Sequence, residues 1–161
     1  MKKQGFTLIE LMVVIVIMGI LAAVAVPKLF GMIAKSKASE VGPAAGTFVK
    51  LQETYAVENN AIGNWAQIGY KDPSGSSTGG NTASFTYAEG TSGTTTDNWT
   101  AWNRVGLNDC TIKNAAVWKM GASFAASTGN VSFAPRITNT DCATLTPNFC
   151  TIGNPSGTCA N

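Results

Sequence analysis

One carboxylate interrupts an otherwise apolar segment near the start of this 161-residue chain. Glu10 is the only ionisable side chain in residues 6–26, and residues 11–26 carry no charge, amide or hydroxyl. As a helix, residues 6–26 would be about 31 Å long, close to the thickness of a bilayer core. A carboxylate within that thickness costs about 2.5–3.5 kcal/mol, so it is expected to have a function and a partner.

The rest of the composition offers little material for catalysis. The chain contains no histidine, which excludes Ser-His-Asp, Cys-His and histidine–metal chemistry. The four cysteines form no CxxC pair and no run of Asp and Asn matches a calcium loop, so we expect no metal, cofactor or catalytic site. With 11 Lys and Arg against 9 Asp and Glu, the chain has no field that would attract a polyanion. We predict that the protein is not an enzyme.

Residues 1–26 fit two general targeting signals. Lys2 and Lys3 followed by an apolar run are typical of a secretory signal peptide, for which the small residues Ala23 and Ala25 supply a cleavage site. An uncleaved transmembrane anchor is the second interpretation. Neither interpretation gives Glu10 a use.

A third interpretation rests on a short motif, GFTLIE at residues 5–10, which follows the two lysines and precedes the apolar run. This motif and the layout behind it resemble type IV pilins, closely over the first sixty residues or so. The resemblance implies that residues 1–5 are a leader, that a membrane peptidase cuts between Gly5 and Phe6, and that it methylates the new amine of Phe6. It also implies a single-pass protein of the inner membrane, which an assembly machinery there builds into an extracellular fibre on the bacterial surface.

Cleavage would give Glu10 a partner. The new amine of Phe6 lies four residues before Glu10, so in a filament the amine of one subunit can meet the carboxylate of a neighbour. A buried ion pair fixes register more than it adds stability, because a misaligned neighbour leaves both charges unpaired. Removing Lys2 and Lys3 from the 11 Lys and Arg leaves 9, which equals the 9 Asp and Glu. Neutral subunits can pack in large numbers without accumulating repulsion.

The apolar segment continues into a second helical pattern. We assign residues 6–27 to a membrane and filament-core helix and residues 28–62 to an amphipathic helix, whose apolar positions recur every three or four residues. These positions are Phe30, Ala34, Val41, Ala44, Phe48, Leu51 and Tyr55.

Three residues in this helical region weaken a helix. Gly19 lowers helix propensity by about 1 kcal/mol, and Pro27 and Pro43 each remove a backbone donor, so a kink or break is expected at both prolines. Type IV pilins, which this segment resembles, bend here and can lose helicity between this glycine and the first proline in their filaments. We therefore interpret residues 19–27 as a compliant section that lets a filament stretch.

Beyond residue 62 the pattern changes to alternation with turns between short runs. Residues 69–96, rich in Gly, Ser and Thr, are predicted to be mostly an exposed loop. Strands are predicted at residues 84–87, 99–105, 116–124 and 131–137, the last three as an antiparallel meander. The predicted fold is α+β, with a long N-terminal helix packed on a small antiparallel sheet in a head of residues 63–161. The pilin resemblance implies the same arrangement.

All four cysteines lie in the head, at Cys110, Cys142, Cys150 and Cys159. An exported head meets an oxidising compartment, so we expect two disulfides, for which three pairings exist. In the predicted meander, Cys110 lies in a turn at one end, and the third strand returns the chain to that end, where Cys142 follows. This geometry favours Cys110–Cys142 and leaves Cys150–Cys159 to close the tail.

We predict a structural subunit of a type IV pilus that polymerises with itself through its N-terminal helix. In the family that the chain resembles, such fibres serve adhesion, surface motility or DNA uptake, and only the last would bring this chain to nucleic acid. One alternative is a type II secretion pseudopilin, which shares the processing site and the rod but whose major form typically has a calcium-binding C-terminal region. The other is a secreted soluble binding module released after Ala25. The intact Glu10 favours a major over a minor pilin.

Overall fold

The computed structural model describes residues 5–90, 97–112 and 115–159. Two helices form a rod, in which α1 is Leu8–Ala38 and α2 is Val41–Asn59. Five strands follow: β1 (Gly79–Asn81), β2 (Phe85–Glu89), β3 (Trp99–Asn103), β4 (Trp118–Ala125) and β5 (Asn130–Ile137). The described chain ends with a short helix α3 (Thr140–Ala143) and a 3-10 turn (Phe149–Thr151).

The strands form one sheet in the order β1-β2-β3-β4-β5, with every neighbouring pair antiparallel. The long N-terminal helical region packed on this sheet confirms the predicted α+β fold. The sheet is larger than the predicted three-strand meander. β2 coincides with the strand predicted at residues 84–87 and pairs with β3, whereas β1 lies in the segment that was expected to be a loop. Phe85 and Tyr87 alternate into the core, which anchors β2 there. Residues 91–96, the end of the expected loop, lie outside the described residues.

The core of the head lies between α2 and the sheet. Phe48 of α2 and the three tryptophans Trp65, Trp99 and Trp118 are fully buried there. The rod enters this core only at Ala34, because residues 5–33 contain no buried side chain. Phe30, expected on the buried stripe, is 60% exposed, so the prediction placed the start of the packed face one turn too early.

The rod is interrupted once, at Ser39 and Glu40. Pro43 lies four residues beyond Ser39, so it has no N–H to donate to the Ser39 carbonyl and its ring crowds that oxygen. The break therefore lies one turn before the proline. By contrast, α1 continues through Gly19 and Pro27 without interruption, so the expected separation of two helices near residue 27 is not found in the isolated chain.

The interruption at Glu40 is tied directly to the sheet. One carboxylate oxygen of Glu40 accepts a hydrogen bond from the Tyr87 hydroxyl at 2.8 Å and one from the Thr82 hydroxyl at 2.7 Å. Burial, followed by this bond to Glu40, raises the pKa of Tyr87 well above its ordinary value. The carboxylate at the helix break thus joins the rod to β2 and to the turn before it.

Two disulfides lie in the head. Cys110 pairs with Cys142, and Cys150 pairs with Cys159. These are the pairs that the order of strands favoured. Cys110 lies in the turn after β3 and Cys142 lies in α3 just after β5, so the bridge joins two chain segments that the sheet brings to the same end.

Candidate site for processing and assembly

The predicted cleavage point lies on open chain just before α1. Phe6 is 82% exposed, and Gly5 is exposed with no atom within 4 Å of the position that a Cβ would take. Residues 1–4 of the expected leader lie outside the described residues. The peptide bond between Gly5 and Phe6 is therefore accessible, and the fold itself does not require a glycine at position 5.

Thr7 and Glu10 form a reciprocal cap at the start of α1. The Thr7 hydroxyl accepts a hydrogen bond from the Glu10 backbone N–H at 3.4 Å. In return, the Glu10 carboxylate accepts bonds from the Thr7 N–H at 2.8 Å and from the Thr7 hydroxyl at 2.7 Å. This capping box satisfies two of the backbone donors that a helix start leaves unpaired, and it fixes the carboxylate beside the first turn.

Both Thr7 donors bind the same oxygen of Glu10, Oε2. Oε1 accepts no hydrogen bond from the part of the chain that the structure describes. Its surroundings are apolar, since Phe6, Ile9, Val13 and Val14 line a shallow depression beside the carboxylate. One oxygen of the carboxylate is therefore bonded within the chain, and the other is exposed and open to a donor from solvent or from another molecule.

Behind this site, α1 presents an uncovered apolar surface. Among the described residues, 21 large hydrophobic side chains are exposed, and 19 of them fall within residues 6–33. This helical region is also long and apolar enough to cross a membrane. Exposed apolar area of this extent indicates a surface that lipid or another protein chain covers.

The other residues singled out from the sequence lie elsewhere. Gly19 and Pro27 are on exposed turns of α1, and Pro43 is in the first turn of α2. The four cysteines are in the head. At the start of α1 the structure therefore brings together Gly5, Phe6 and Glu10. It adds Thr7, which was not predicted as a site residue although Thr-x-x-Glu before an apolar run is a known helix-start signal.

Comparison with known proteins agrees with this arrangement. Residues 1–26 match the family described as the prokaryotic N-terminal methylation motif. The chain is 37% identical over 82 residues to the type IV narrow pilus major component PilA5 of Thermus thermophilus, a match covering 51% of this chain and 70% of that protein. It is 39% identical over 70 residues to the type IV major pilin protein PilA of Myxococcus xanthus, covering 43% of this chain and 32% of that protein. No solved structure matches the chain.

A further relative is the type IV major fimbrial protein FimA of Dichelobacter nodosus, 43% identical over 61 residues, which cover 38% of this chain and 39% of that protein. The matched part thus spans less than half the length of the Myxococcus and Dichelobacter proteins. None of these three relatives is named as an enzyme. With an accessible bond after Gly5, a capped Glu10 beyond it and a match over more than two thirds of PilA5, this chain belongs to the type IV pilin family.

Proposed function

We propose that this chain is the structural subunit of a type IV pilus and that it polymerises with copies of itself through α1. The observation that carries this proposal is the uncovered apolar surface of residues 6–33. Burying apolar area releases about 25 cal/mol per Å², so the surface favours association along its whole length. The relatives named as major pilus components support the same conclusion.

In this proposal a prepilin peptidase of the inner membrane cuts after Gly5 and methylates Phe6. The cut removes Lys2 and Lys3, whose charges would otherwise have to enter an apolar filament core. It also creates a cationic amine on Phe6. That amine binds the Glu10 carboxylate of a neighbour, on the oxygen Oε1 that Thr7 leaves unused, and so sets the register between subunits.

Before assembly, α1 spans the inner membrane once and the head lies outside the cytoplasm, where its disulfides form. An assembly machinery in that membrane then transfers subunits into the growing fibre. The type II secretion pseudopilin and the secreted binding module share the N-terminal segment in part, and among the described residues of the head no contact favours either of them.

Sheared surface fibres test the proposal directly. Electron microscopy of the cell surface should reveal fibres, and mass spectrometry of the sheared fraction should find this chain beginning with N-methyl-Phe6. A chain that begins at Val26 and circulates in the medium would instead identify a secreted module. A chain that starts at methylated Phe6 but never appears in a surface fibre would identify a pseudopilin.

The fibre is proposed to serve attachment, surface motility or DNA uptake. A strain lacking this chain, assayed for all three, separates these uses, because each uses a different readout: adherent cells, spreading on a surface, and transformation frequency. Re-expression of the chain should restore whichever of them is lost.

A further inference from the structure

The exposed charges of the rod are unevenly distributed along its length. Lys28, Lys35 and Lys37 lie on α1 with no acidic residue among them, whereas Glu53 and Glu58 lie near the end of α2, one turn and two turns beyond the single lysine of that helix, Lys50. Glu40, between the two groups, is already used inside the head by Tyr87 and Thr82. We call Lys35 and Lys37 the basic patch and Glu53 and Glu58 the acidic patch.

Neither patch is neutralised within the subunit. All four side chains are exposed, and among the described residues none of them takes part in an ion pair or accepts or donates a side-chain hydrogen bond. The ion pairs of the described chain join Asp97 to Lys119 and Arg136 on the sheet. The charges of both patches are therefore available to another molecule.

The acidic patch stands where the helix itself disfavours it. The C-terminal end of a helix carries partial negative charge and prefers cations, yet the last turn of α2 has no basic residue and contains Glu58. Lys35 and Lys37, in contrast, occupy the last turn of α1, where they are favourable. A carboxylate kept at an unfavourable position is consistent with a cation supplied from outside the subunit.

The spacing of the patches suits a second copy of the chain. Glu53 is 18 residues beyond Lys35 and Glu58 is 21 residues beyond Lys37, which corresponds to about 27–32 Å along a helix. A parallel copy displaced by that distance brings its basic patch level with the acidic patch of the first. Such a contact joins two different surfaces, so it repeats without closing, as a filament requires.

Each patch also faces more than one direction. Residues two apart on a helix point about 160° from each other, and residues five apart point about 140° from each other. The two lysines therefore flank the buried stripe of the rod on opposite sides. Glu53 lies beside the stripe on α2, whereas Glu58 points about 160° from the buried Ala56 and faces away from the head. A neighbour on either side of the rod meets a charge.

We infer that neighbouring subunits in the fibre are held by contact between the basic patch on the rod of one copy and the acidic patch on the rod of another. This inference rests on the proposed function, since it concerns copies packed in a pilus. It adds a second, polar contact to the apolar contact of α1, and it places that contact on residues of the rod that the head leaves exposed.

Charge reversal with rescue tests the inference in cells that make the fibre. The variants are Lys35→Glu with Lys37→Glu, Glu53→Lys with Glu58→Lys, and the chain carrying all four changes, which has the net charge of the original. Lys71→Glu, at an exposed head cation outside both patches, is the matched control. Fibre yield by electron microscopy and shearing is divided by the amount of mature subunit in the membrane.

Each double reversal should lower the normalised fibre yield by roughly tenfold or more, because like charges then face each other. The fourfold variant should recover most of the yield, and Lys71→Glu should resemble the original chain. Glu53→Lys with Glu58→Lys places cations at the end of α2, which favours the isolated helix, so unfolding would not explain its loss. Melting of each purified variant in detergent checks this.

Full fibre yield in both double reversals would overturn the inference and leave the proposed function intact. Failure of the fourfold variant to recover its fibre yield would also overturn the inference, since the charges would then affect assembly without contact between the two patches. Absence of fibres from the original chain would instead contradict the proposed function. The three results are distinct.

Discussion

At the scale of single residues, Glu10 illustrates how a costly charge can be kept in an apolar surface. The Thr7 N–H and hydroxyl bind Oε2, so half of the carboxylate is satisfied before any neighbour arrives. The other oxygen still needs a donor. Glu10 therefore caps α1 within the subunit and, in our proposal, sets the register between neighbouring subunits in the fibre.

Gly5 and Glu10 are expected to fail in different ways. Gly5→Val should block the peptidase, because it places a bulky side chain directly before the bond to be cut. The fold itself has open space at this position and would tolerate the valine. Uncut precursor that retains Lys2 and Lys3 should accumulate in the membrane, without fibres. Immunoblots that separate precursor from mature chain measure this result.

Glu10→Ala should be cut normally, since the bond lies outside the capped turn, but fibres should be scarce. An unpaired buried charge costs about 3–5 kcal/mol at each contact. Glu10→Gln keeps the length of the side chain and serves as the comparison. Normal fibres from the alanine variant would disprove the register mechanism, even with the chain still a pilin.

Tyr87 gives the head a dependence on alkaline pH. Its pKa is raised by burial and by the bond to Glu40, so the folded chain keeps this proton where the unfolded chain, with a tyrosine pKa of about 10, releases it. Stability contributed by Tyr87 is therefore complete below about pH 10 and is lost as pH rises above it, by about 1.4 kcal/mol per pH unit. Denaturant unfolding in detergent between pH 8 and 11 measures the slope.

Tyr87→Phe removes the titrating group while keeping the ring in the core. Its unfolding free energy should be about 1 kcal/mol lower at pH 8, because a hydrogen bond to Glu40 is lost. Its decline above pH 10 should be shallower than that of the original chain. Equal slopes for the two chains would exclude Tyr87 as the source.

The residues of the site were foreseeable to different degrees. Gly5, Phe6 and Glu10 stand out because a motif and an isolated charge identify them in the sequence. Thr7 was missed, since a threonine at the edge of an apolar run carries no charge to draw notice. Its bond to Glu10 depends on where the helix begins, which a sequence locates only within a few residues.

At the scale of elements, the two prolines of the rod have different effects. Pro43 has a break one turn before it, where the head supplies other contacts for the loosened turn, including Glu40 with Tyr87. Pro27 lies in a bare part of α1, and the helix continues through it. From the sequence alone, both prolines are expected to disturb the helix in the same way. Only the tertiary contacts around Glu40 explain why the helix breaks near Pro43 and not near Pro27, and a sequence does not reveal those contacts.

The section from Gly19 to Pro27 remains our candidate for filament compliance. Gly19→Ala with Pro27→Ala should stiffen it, because alanine favours a helix interior by about 1 kcal/mol over glycine and about 3 kcal/mol over proline. Fibres of this variant should extend less under force in an optical trap. Gly31→Ala is the control, since its Cβ position is also open and it lies outside the section. Unchanged extension in the double variant would argue against compliance here.

The two disulfides should differ in their contribution to stability. Cys110–Cys142 closes 32 residues and Cys150–Cys159 closes 9. Loop-closure entropy gives about 3.7 kcal/mol for the first and about 2.6 kcal/mol for the second. Replacing each pair with alanine and measuring unfolding by urea should reveal the larger loss for Cys110 and Cys142. The reverse order would indicate that the tail is stabilised mainly by its bridge.

The elements of the head were predicted unevenly. The last three strands were found because their alternating apolar residues are flanked by turns. β1 was missed because Gly79, Gly80 and Asn81 have no apolar pattern. They are held to β2 by backbone pairing and by one side-chain hydrogen bond, from Thr86 to Asn81. The predicted buried stripe of the rod was wrong at Phe30, which is exposed. Periodicity cannot distinguish an apolar side chain that faces lipid or a neighbour from one that faces the core.

At the scale of the whole molecule, residues 6–33 carry nearly all the exposed large hydrophobic side chains of the described residues, whereas the folded core begins at Ala34. Deleting residues 1–33 should give a monomer that is soluble without detergent, because Val57 and Ile112 are then the exposed large hydrophobic side chains that remain among the described residues. The core begins at Ala34, so its melting should stay cooperative. Light scattering after gel filtration and circular dichroism measure both properties. Aggregation of this head would mean that α1 covers part of it.

If α1 spans the inner membrane as proposed, the boundary of burial at Ala34 sets how far the head stands from the bilayer. From Leu8 to the start of the core, 26 residues of helix extend about 39 Å, whereas the hydrocarbon layer is about 30 Å thick. About 9 Å of bare helix is left over, enough to carry the head past the lipid headgroups. In the proposed membrane-anchored state, the head therefore stands clear of the bilayer on a helix that is packed into its core at Ala34 and Ala38, and its membrane-facing side is open to a partner.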